Sequence, residues 1–434
     1  MNPSTAEPDG GDRPPPRRPH PGAGYYVRRV LKALASLQLT VVLFALSIAL
    51  VFLGTLAQVD SGIWTVVDKY FWSWVVWVPT DLINKFGQVF IAEWFPKGRT
   101  WPGLFPFPAG KLLGGLMLVN LLAAHATRFR LTWRRSGVVL IHGGMILLFA
   151  GEFVTREYAV EQRMTIAEGQ SVNFTEDHRV VELAFVDRTD PKEDRVVVVP
   201  ESLLRKTGER ITDAELPADV KVTDFMPNSD LEQVGGGRPN PATAGTGLRA
   251  VAVRKPEVSG TDPNQKIDVP SAYVTLYKKG TAEEIGTYLV SGWLAPGSPT
   301  AALNAVVVGG TPHGVALRFK RYYKPYSIAL VKFRFDRYAG TTKAKNYSSD
   351  VRLSDPDLQV ADEPHLIRMN EPMRHRGETF YQQSFDATET GTVLQVVKNP
   401  GWLIPYVSCV VVTFGLVVHF GITLTKFLVR RAAA

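Results

Sequence analysis

Hydrophobic positions along the chain fall into four long apolar runs and one extended alternating stretch. Leu37 to Ala57, LQLTVVLFALSIALVFLGTLA, carries no charge over a length that spans a bilayer, since about 20 helical residues cross the hydrocarbon core. Gly110 to Thr127, Gly137 to Val154 and Trp402 to Thr425 are the other three runs. The pattern predicts four transmembrane helices at 37–57, 110–127, 137–154 and 402–425. A cleaved signal peptide ending at Thr55-Leu56-Ala57 is the rival for the first run, but that run exceeds a typical signal core and a hydrophobic hairpin follows it. It is read as a retained span.

Residues 58–109 alternate aromatic and charged groups, as in IWTVVDKYFWSWVVWVP and FGQVFIAEWFPKG. The charges forbid a full crossing, so an external loop in the interfacial aromatic belt is expected. Its functional reading is a platform for a cofactor or partner; the plain reading is a wet surface loop. Residues 156–400 change period: RVVELAFV, DRVVVVP, GLRAVAV, SAYVTLY, EIGTYLV, LNAVVVGG and GVALRFKRYY are short β-rich runs separated by Gly, Pro, Asp and Asn, the mark of an all-β sandwich or barrel-like domain. VGGGRPNPATAGTG, residues 234–247, predicts a flexible loop or an internal boundary. Residues 1–24 are rich in Pro, Arg and small residues and cannot bury a core, which predicts a disordered tail.

Composition sharpens the topology. The 434-residue chain has a net charge of +8, a balance that in a soluble protein would suggest nucleic acid. Here the cations stand beside the apolar runs: Arg28, Arg29 and Lys32 before the first, Arg128, Arg130, Arg134 and Arg135 between the second and third, Lys426, Arg430 and Arg431 after the fourth. Cations mark cytoplasmic ends, so no nucleic-acid partner is expected. Both termini, including the tail at 426–434, are placed in the cytoplasm, and the β domain, inserted between spans three and four, is placed outside a cytoplasmic membrane. The single cysteine, Cys409, lies in the last run. There is no disulfide framework, CxxC redox pair or CxxCH haem-attachment site.

Candidate chemistry rests on histidine, because polar groups in hydrocarbon are expensive and default to functional hypotheses. His142 sits in RRSGVVLIHGGMILLFAGE, seven residues from Arg135, and His419 sits seven residues from Lys426. Both are therefore roughly 10 Å above the cytoplasmic boundary at 1.5 Å per residue. His125 is three residues from Arg128, at roughly 5 Å. Imidazole at such depth suits haem iron, a metal or a proton relay; packing against a carbonyl is the alternative for each, most of all for His125. Gly143 and Gly144 would leave room for a flat macrocycle or a close helix. His20, His178, His313 and His365 lie among charged or turn residues and are expected at the surface. Arg368, Asn370, Arg374, His375 and Arg376 precede FYQQSF with Tyr381, Gln382 and Gln383. They could contact propionates or a polypeptide, but MNEP reads as a turn and FYQQSF as a half-buried strand.

Several blocks resemble the ResB family of System II cytochrome c biogenesis. GTLAQ after the first span, VNLLAAHATRF and SGVVLIHGGMILLFAGE in the second and third, and YAGTTKAKNYSSDVRL, IRMNEPMRHRGETFYQQSF and NPGWLIPYVSCVVVTFGLVVHFG near the end carry the resemblance. It implies a subunit that, with a ResC-like (CcsA-like) membrane partner, carries haem across the membrane and presents it to apocytochrome c CxxCH. It also implies one axial haem ligand from a histidine in a span, a role that falls on His142 first, then His419, then His125. Membrane lipid is a further expected contact. Catalysis by this chain itself is not implied, since no acid, base or nucleophile constellation stands out. Two other classes stay open on the residues alone: a bis-histidine haem electron carrier using His142 and His419, and a haem-free envelope adaptor.

Overall fold

The computed structural model describes residues 23–95, 98, 100–128, 132–190, 193–235, 237–258, 268–294, 304–340, 344–385 and 390–433. The expected disordered tail lies outside them except for its end, where Ala23 and Gly24 begin a helix, Ala23–Leu34. Arg130 also lies outside them.

Leu37–Ala57, Gly110–Arg128, Ser136–Tyr158 and Ile404–Ala432 are helices, each long and apolar enough to cross a membrane. The third and fourth outrun the apolar segments from which they were read. Backbone hydrogen bonding continues through charged ends that hydropathy leaves out, so the fourth helix takes in most of the expected C-terminal tail. First and second helices run antiparallel, tied by Thr40 Oγ1 donating to Asn120 Oδ1 at 2.7 Å and by Ser47 Oγ near Met117 Sδ at 3.6 Å. Third and fourth meet backbone to backbone along a stripe of glycines seven residues apart. A Cβ added to Gly137 would lie 2.5 Å from the backbone nitrogen of His419, and one on Gly144 would lie 2.6 Å from Val412. Ser408 Oγ, buried in this seam, donates to the Gly144 carbonyl at 2.5 Å. Small residues permit such contact, which association in lipid needs because burial of apolar surface gives no net drive there.

Between the first and second helices the chain is folded, where a loop was expected. Ile63–Val66 is a helical turn that passes into a π turn, Val67–Phe71; Val75–Pro79 pairs antiparallel with Leu104–Pro108, and Thr80–Phe90 is an amphipathic helix. Val66, Tyr70, Val76, Val78 and Leu82 pack on Leu50, Leu53, Ala57 and Leu113 at one end of the helices. Trp74, Trp77 and Trp94 remain exposed.

The described residues from 160 to 398 are mostly β, and each run read as a strand contributes to one, although Gly247 and Leu248 of GLRAVAV fall in a 3-10 turn before Ala250–Arg254. A ten-stranded sheet takes, in order, Val360–Arg368, Ala344–Asp355, Thr311–Arg337, Ser171–Asp187, Val160–Ala167, Gly391–Lys398, Glu378–Phe385 and Met373–His375, with Asn304–Val308 and Arg195–Pro200 paired at its side. A four-stranded sheet, Glu284–Ser291, Ser271–Tyr277, Asp219–Met226 and Arg210–Ile211, covers one half. Two cores result. One joins Leu183, Phe185 and Leu317 to Val220, Val274 and Val290; the other joins Ile166, Ile328 and Leu353 to Phe380 and Leu394. Strands 171–187 and 311–337 serve both cores, and their pairing shifts register at Phe319/Arg321 and Tyr323/Ile328, where one core gives way to the other. The described residues of 234–247 connect two paired strands, Ser229–Gln233 and Ala250–Arg254, and run into a 3-10 turn, Gly245–Leu248.

The late polar block is part of this framework. Asp355, fully buried, accepts from His375 Nε2 at 2.6 Å and from Arg376 Nε and an Nη at 2.5 and 2.7 Å. Arg376 has φ 47°, a conformation few side chains adopt, so this clasp holds the chain in a strained turn. Arg368 pairs with Glu371 at 2.6 Å, and Gln382 bonds Ser349 and Thr392. Asn370 takes the left-handed turn position, φ 64°. The Arg376 guanidinium first, and His375 beside it, hold the Asp355 carboxyl well below the usual carboxylate range against the opposing effect of burial.

Two outcomes are expected. Gly144→Leu forces the third and fourth helices apart and costs about 1–3 kcal/mol, read as an earlier transition in detergent-titrated unfolding; Gly143→Leu, where an added Cβ meets nothing within 4 Å, costs less, and equal losses would mean that the glycine stripe is not the seam. A carboxyl with a depressed folded pKa stabilises above its unfolded value and loses that contribution as pH falls. Wild type therefore loses stability below a pH of about 3.9 more steeply than Asp355→Asn, and parallel acid-unfolding curves for the two would refute the clasp.

Candidate functional site

The glycine stripe fixes the orientation of the third helix. Gly137, Gly144 and Gly151 face the fourth helix, and at 3.6 residues per turn position 142 falls near the opposite side. His142 accordingly faces the second helix. Its ring meets that of His125 with centroids 5.5 Å apart and planes at 63°. Both rings are half-buried.

Sequence counting puts His125 and His142 at different depths, yet the rings meet, because side chains lean toward the N-terminus of their own helix. The second helix has its N-terminus at the end nearer the β domain, so His125 leans toward that end. The third runs the other way, so His142 leans back. His419 is kept from the pair by the rotation of the third helix, not by this lean. Its backbone lies against Gly137, five residues before His142, or roughly 7.5 Å along the helix. Its ring packs on Phe420 at 5.5 Å. The structure brings His142 to His125 and leaves His419 on the other side of the third helix, so the shared depth read from the sequence does not make a pair of His142 and His419.

The hydrogen bonding of the two rings defines their chemistry. His142 Nδ1 lies 2.8 Å from the Val138 carbonyl and His125 Nδ1 lies 3.2 Å from the Leu121 carbonyl. A carbonyl only accepts, so each Nδ1 is the donor, and in the neutral ring Nε2 carries the lone pair. This is the arrangement of metal-ligating imidazoles, whose second nitrogen donates to a carbonyl or carboxylate. Among the described residues no cluster of three or more His, Cys, Asp and Glu side chains could hold a bare metal ion. The two adjacent glycines divide the roles foreseen for them: Gly144 is the helix contact, whereas a Cβ on Gly143 would meet nothing within 4 Å.

Asn120 is a residue that the sequence pattern did not single out. It is 6% exposed, donates to the Leu34 and Ser36 carbonyls at 2.5 and 3.1 Å and accepts from Thr40. It thereby holds the break between Ala23–Leu34 and the first span. A lone amide in an apolar run was the available signal, because such a group must find partners inside the protein.

A second polar concavity lies where the interfacial segment meets the β domain. It encloses about 610 Å³, with Trp64, His178, Arg205, Phe225, Glu257 and Asp268 in its wall. His178, expected at the surface, packs on Trp64 at 5.2 Å, and its Nε2 is buried with no hydrogen-bond partner among the described residues. Burial pushes the Asp268 carboxyl up. Thr65 donates to Glu257 at 2.6 Å, and Asp68 pairs with Arg179 and Arg156 at 3.3 and 3.7 Å, closing the joint. His313 lies within a strand opposite Val306 and Asp187, and His365 lies 3.4 Å from Glu363.

Four membrane-length helices mark the class as a membrane protein, which also carries a large β domain and a pair of neighbouring imidazoles on its second and third long helices. Residues 299–393 match the ResB-like family, a stretch that takes in the YAGTTKAKNYSSDVRL and IRMNEPMRHRGETFYQQSF blocks but not the NPGWLIP block. Protein NrfI of Wolinella succinogenes is 36% identical over 92 residues, which are 21% of this chain and 10% of that protein. The chain thus matches about a tenth of this relative's length. The family match takes in the Asp355 clasp and stops short of the fourth helix.

The site makes a spectroscopic prediction. In ¹⁵N-histidine-labelled protein, with His125→Ala and His142→Ala used for assignment, both rings show the Nδ1-protonated tautomer. Nε2-protonated rings would show that the carbonyl contacts are not hydrogen bonds.

Proposed function

We propose that this chain is a ResB-type subunit of System II cytochrome c biogenesis, which receives haem at the His142–His125 pair and, with a ResC-like partner, helps carry it across the cytoplasmic membrane to apocytochrome c. The observation that carries this reading is the pair of Nδ1-donating imidazoles in a chain with a ResB-like outer segment. Haem is here the cargo, and its iron would take an imidazole Nε2. The residues suit it: the lone pairs lie on Nε2, and Gly143 leaves an open face beside His142. The two rings already touch edge to face, which leaves no space for a macrocycle between them. His142 therefore serves as the ligand from this chain, His125 as its neighbour, and the opposite axial ligand comes from the partner.

Topology follows from charge. Arg28, Arg29, Lys32, Arg134, Arg135, Lys426, Arg430 and Arg431 share one end of the helix bundle, a charge pattern that supports a cytoplasmic position for that end and an outer one for the β domain. The imidazole pair then lies in the inner leaflet, where haem made in the cytoplasm arrives. The chain acts as an accessory subunit, and thioether formation belongs to the whole complex. An electron carrier with haem between His142 and His419 is disfavoured by the glycine seam that separates them.

The test is the haem spectrum of the purified chain with and without a ResC-like partner. Wild type and His419→Ala hold low-spin haem in the complex, and His142→Ala loses most of it. No haem in either preparation, or loss with His419→Ala alone, would overturn the assignment. In cells, deletion lowers attached c-type haem and spares b-type haem; equal loss of both would indicate general haem supply instead.

A further inference from the structure

The helix Ala23–Leu34, AGYYVRRVLKAL, precedes the first span and turns away from it at Ala35-Ser36. At 3.6 residues per turn, Tyr26, Val27, Val30, Leu31 and Leu34 fall on one side and Arg28, Arg29 and Lys32 on the other. Leu31 and Leu34 are half-buried, whereas Tyr26, Val27 and Val30 are more than half exposed. The helix is held firmly all the same: Asn120, itself buried, bonds the Leu34 and Ser36 carbonyls. An apolar face without protein cover is thus fixed at the end of the bundle where the membrane surface lies.

Charge indicates what covers it. The opposite face carries three cations and no acid. The same end bears exposed Trp133, Arg134 and Arg135 and exposed Lys426, Arg430 and Arg431. No Asp or Glu occurs in 23–59, 110–151 or 404–434. A helix with apolar and cationic faces settles in the plane of a bilayer surface with its apolar side about 5–10 Å into the headgroup boundary and its cations among anionic headgroups.

We propose that Ala23–Leu34 is an in-plane interfacial helix that docks on anionic phospholipid of the inner leaflet. It is fastened through Asn120 to the helix turn whose next carbonyl, that of Leu121, holds the His125 ring. Lipid docking and the imidazole pair are therefore joined through one rigid turn. The proposal does not depend on haem as cargo.

The test uses the full chain carrying Cys409→Ser and Val30→Cys, with a nitroxide on the introduced thiol, in symmetric bilayers of phosphatidylcholine alone or mixed with phosphatidylglycerol. A second label, at Leu424→Cys on the exposed side of the fourth helix, reports insertion of the whole chain, so detachment of one helix is distinguishable from failure to insert. In the anionic bilayer the Val30→Cys label is expected at the headgroup boundary, more accessible to oxygen than to a water-soluble nickel complex. Each cation near an anionic surface contributes about fivefold to binding, so Arg28→Gln, Arg29→Gln and Lys32→Gln together shift the docked population by roughly a hundredfold toward water, as does removal of phosphatidylglycerol. A label that stays in water in every bilayer would overturn the proposal in favour of a soluble protein partner, and equal depth in both lipids would overturn the requirement for anionic headgroups.

Discussion

The contact on which the rest of the membrane region depends is the seam between the third and fourth helices. Gly137 and Gly144 let the two backbones touch, and the seam sets the rotation of the third helix about its own axis. Position 142 then has one direction open to it, toward the second helix. A wider seam built on Leu or Val would free that rotation, and the His142 ring would no longer be committed to His125. Here a packing constraint with no polar chemistry of its own decides where an imidazole points.

The same end-to-end logic fixes the β domain to the helices. The third helix delivers its C-terminal residues directly to strand Val160–Ala167, and strand Gly391–Lys398, paired with it in full register, returns the chain to the fourth helix. The domain therefore leaves and re-enters the helices through two neighbouring strands. Asn399 bonds Thr155 across this junction, Arg374 lies over the Trp402 ring at 4.3 Å and Arg156 lies over Trp72 at the same distance. Arginine on an indole suits this boundary, since the ring can stay in the apolar zone while the guanidinium stays wet.

Much of the architecture was legible in the sequence because its signals are one-dimensional. A run of uncharged residues such as Leu37–Ala57 declares its own length, and alternation such as SAYVTLY declares its own period. The clasp around Asp355 was not legible: its members lie in different strands and turns, and nothing in RMNEPMRHRG alone shows that His375 and Arg376 share one distant carboxylate. The imidazole pair was half legible. The residues were named, but depth was counted along each helix from the Cα positions alone. Two further facts decide the pairing: the N-terminal lean of helical side chains, and the face that the glycines claim. Both are written in the sequence, the second as a seven-residue spacing of Gly137, Gly144 and Gly151.

An imidazole in hydrocarbon carries two polar nitrogens, and an unsatisfied donor there is costly. Each ring here spends its donor on the carbonyl one turn back in its own helix, Val138 for His142 and Leu121 for His125. The donor is therefore satisfied by local geometry alone, whatever Nε2 does. This property suits the proposed carrier role, because a ligand group that depended on its cargo for all of its hydrogen bonding would cost more to leave bare and would release the cargo reluctantly. Tying Nδ1 to the helix separates the stability of the apolar bundle from the state of Nε2, so that in this role cargo would arrive and depart without the helices having to rearrange.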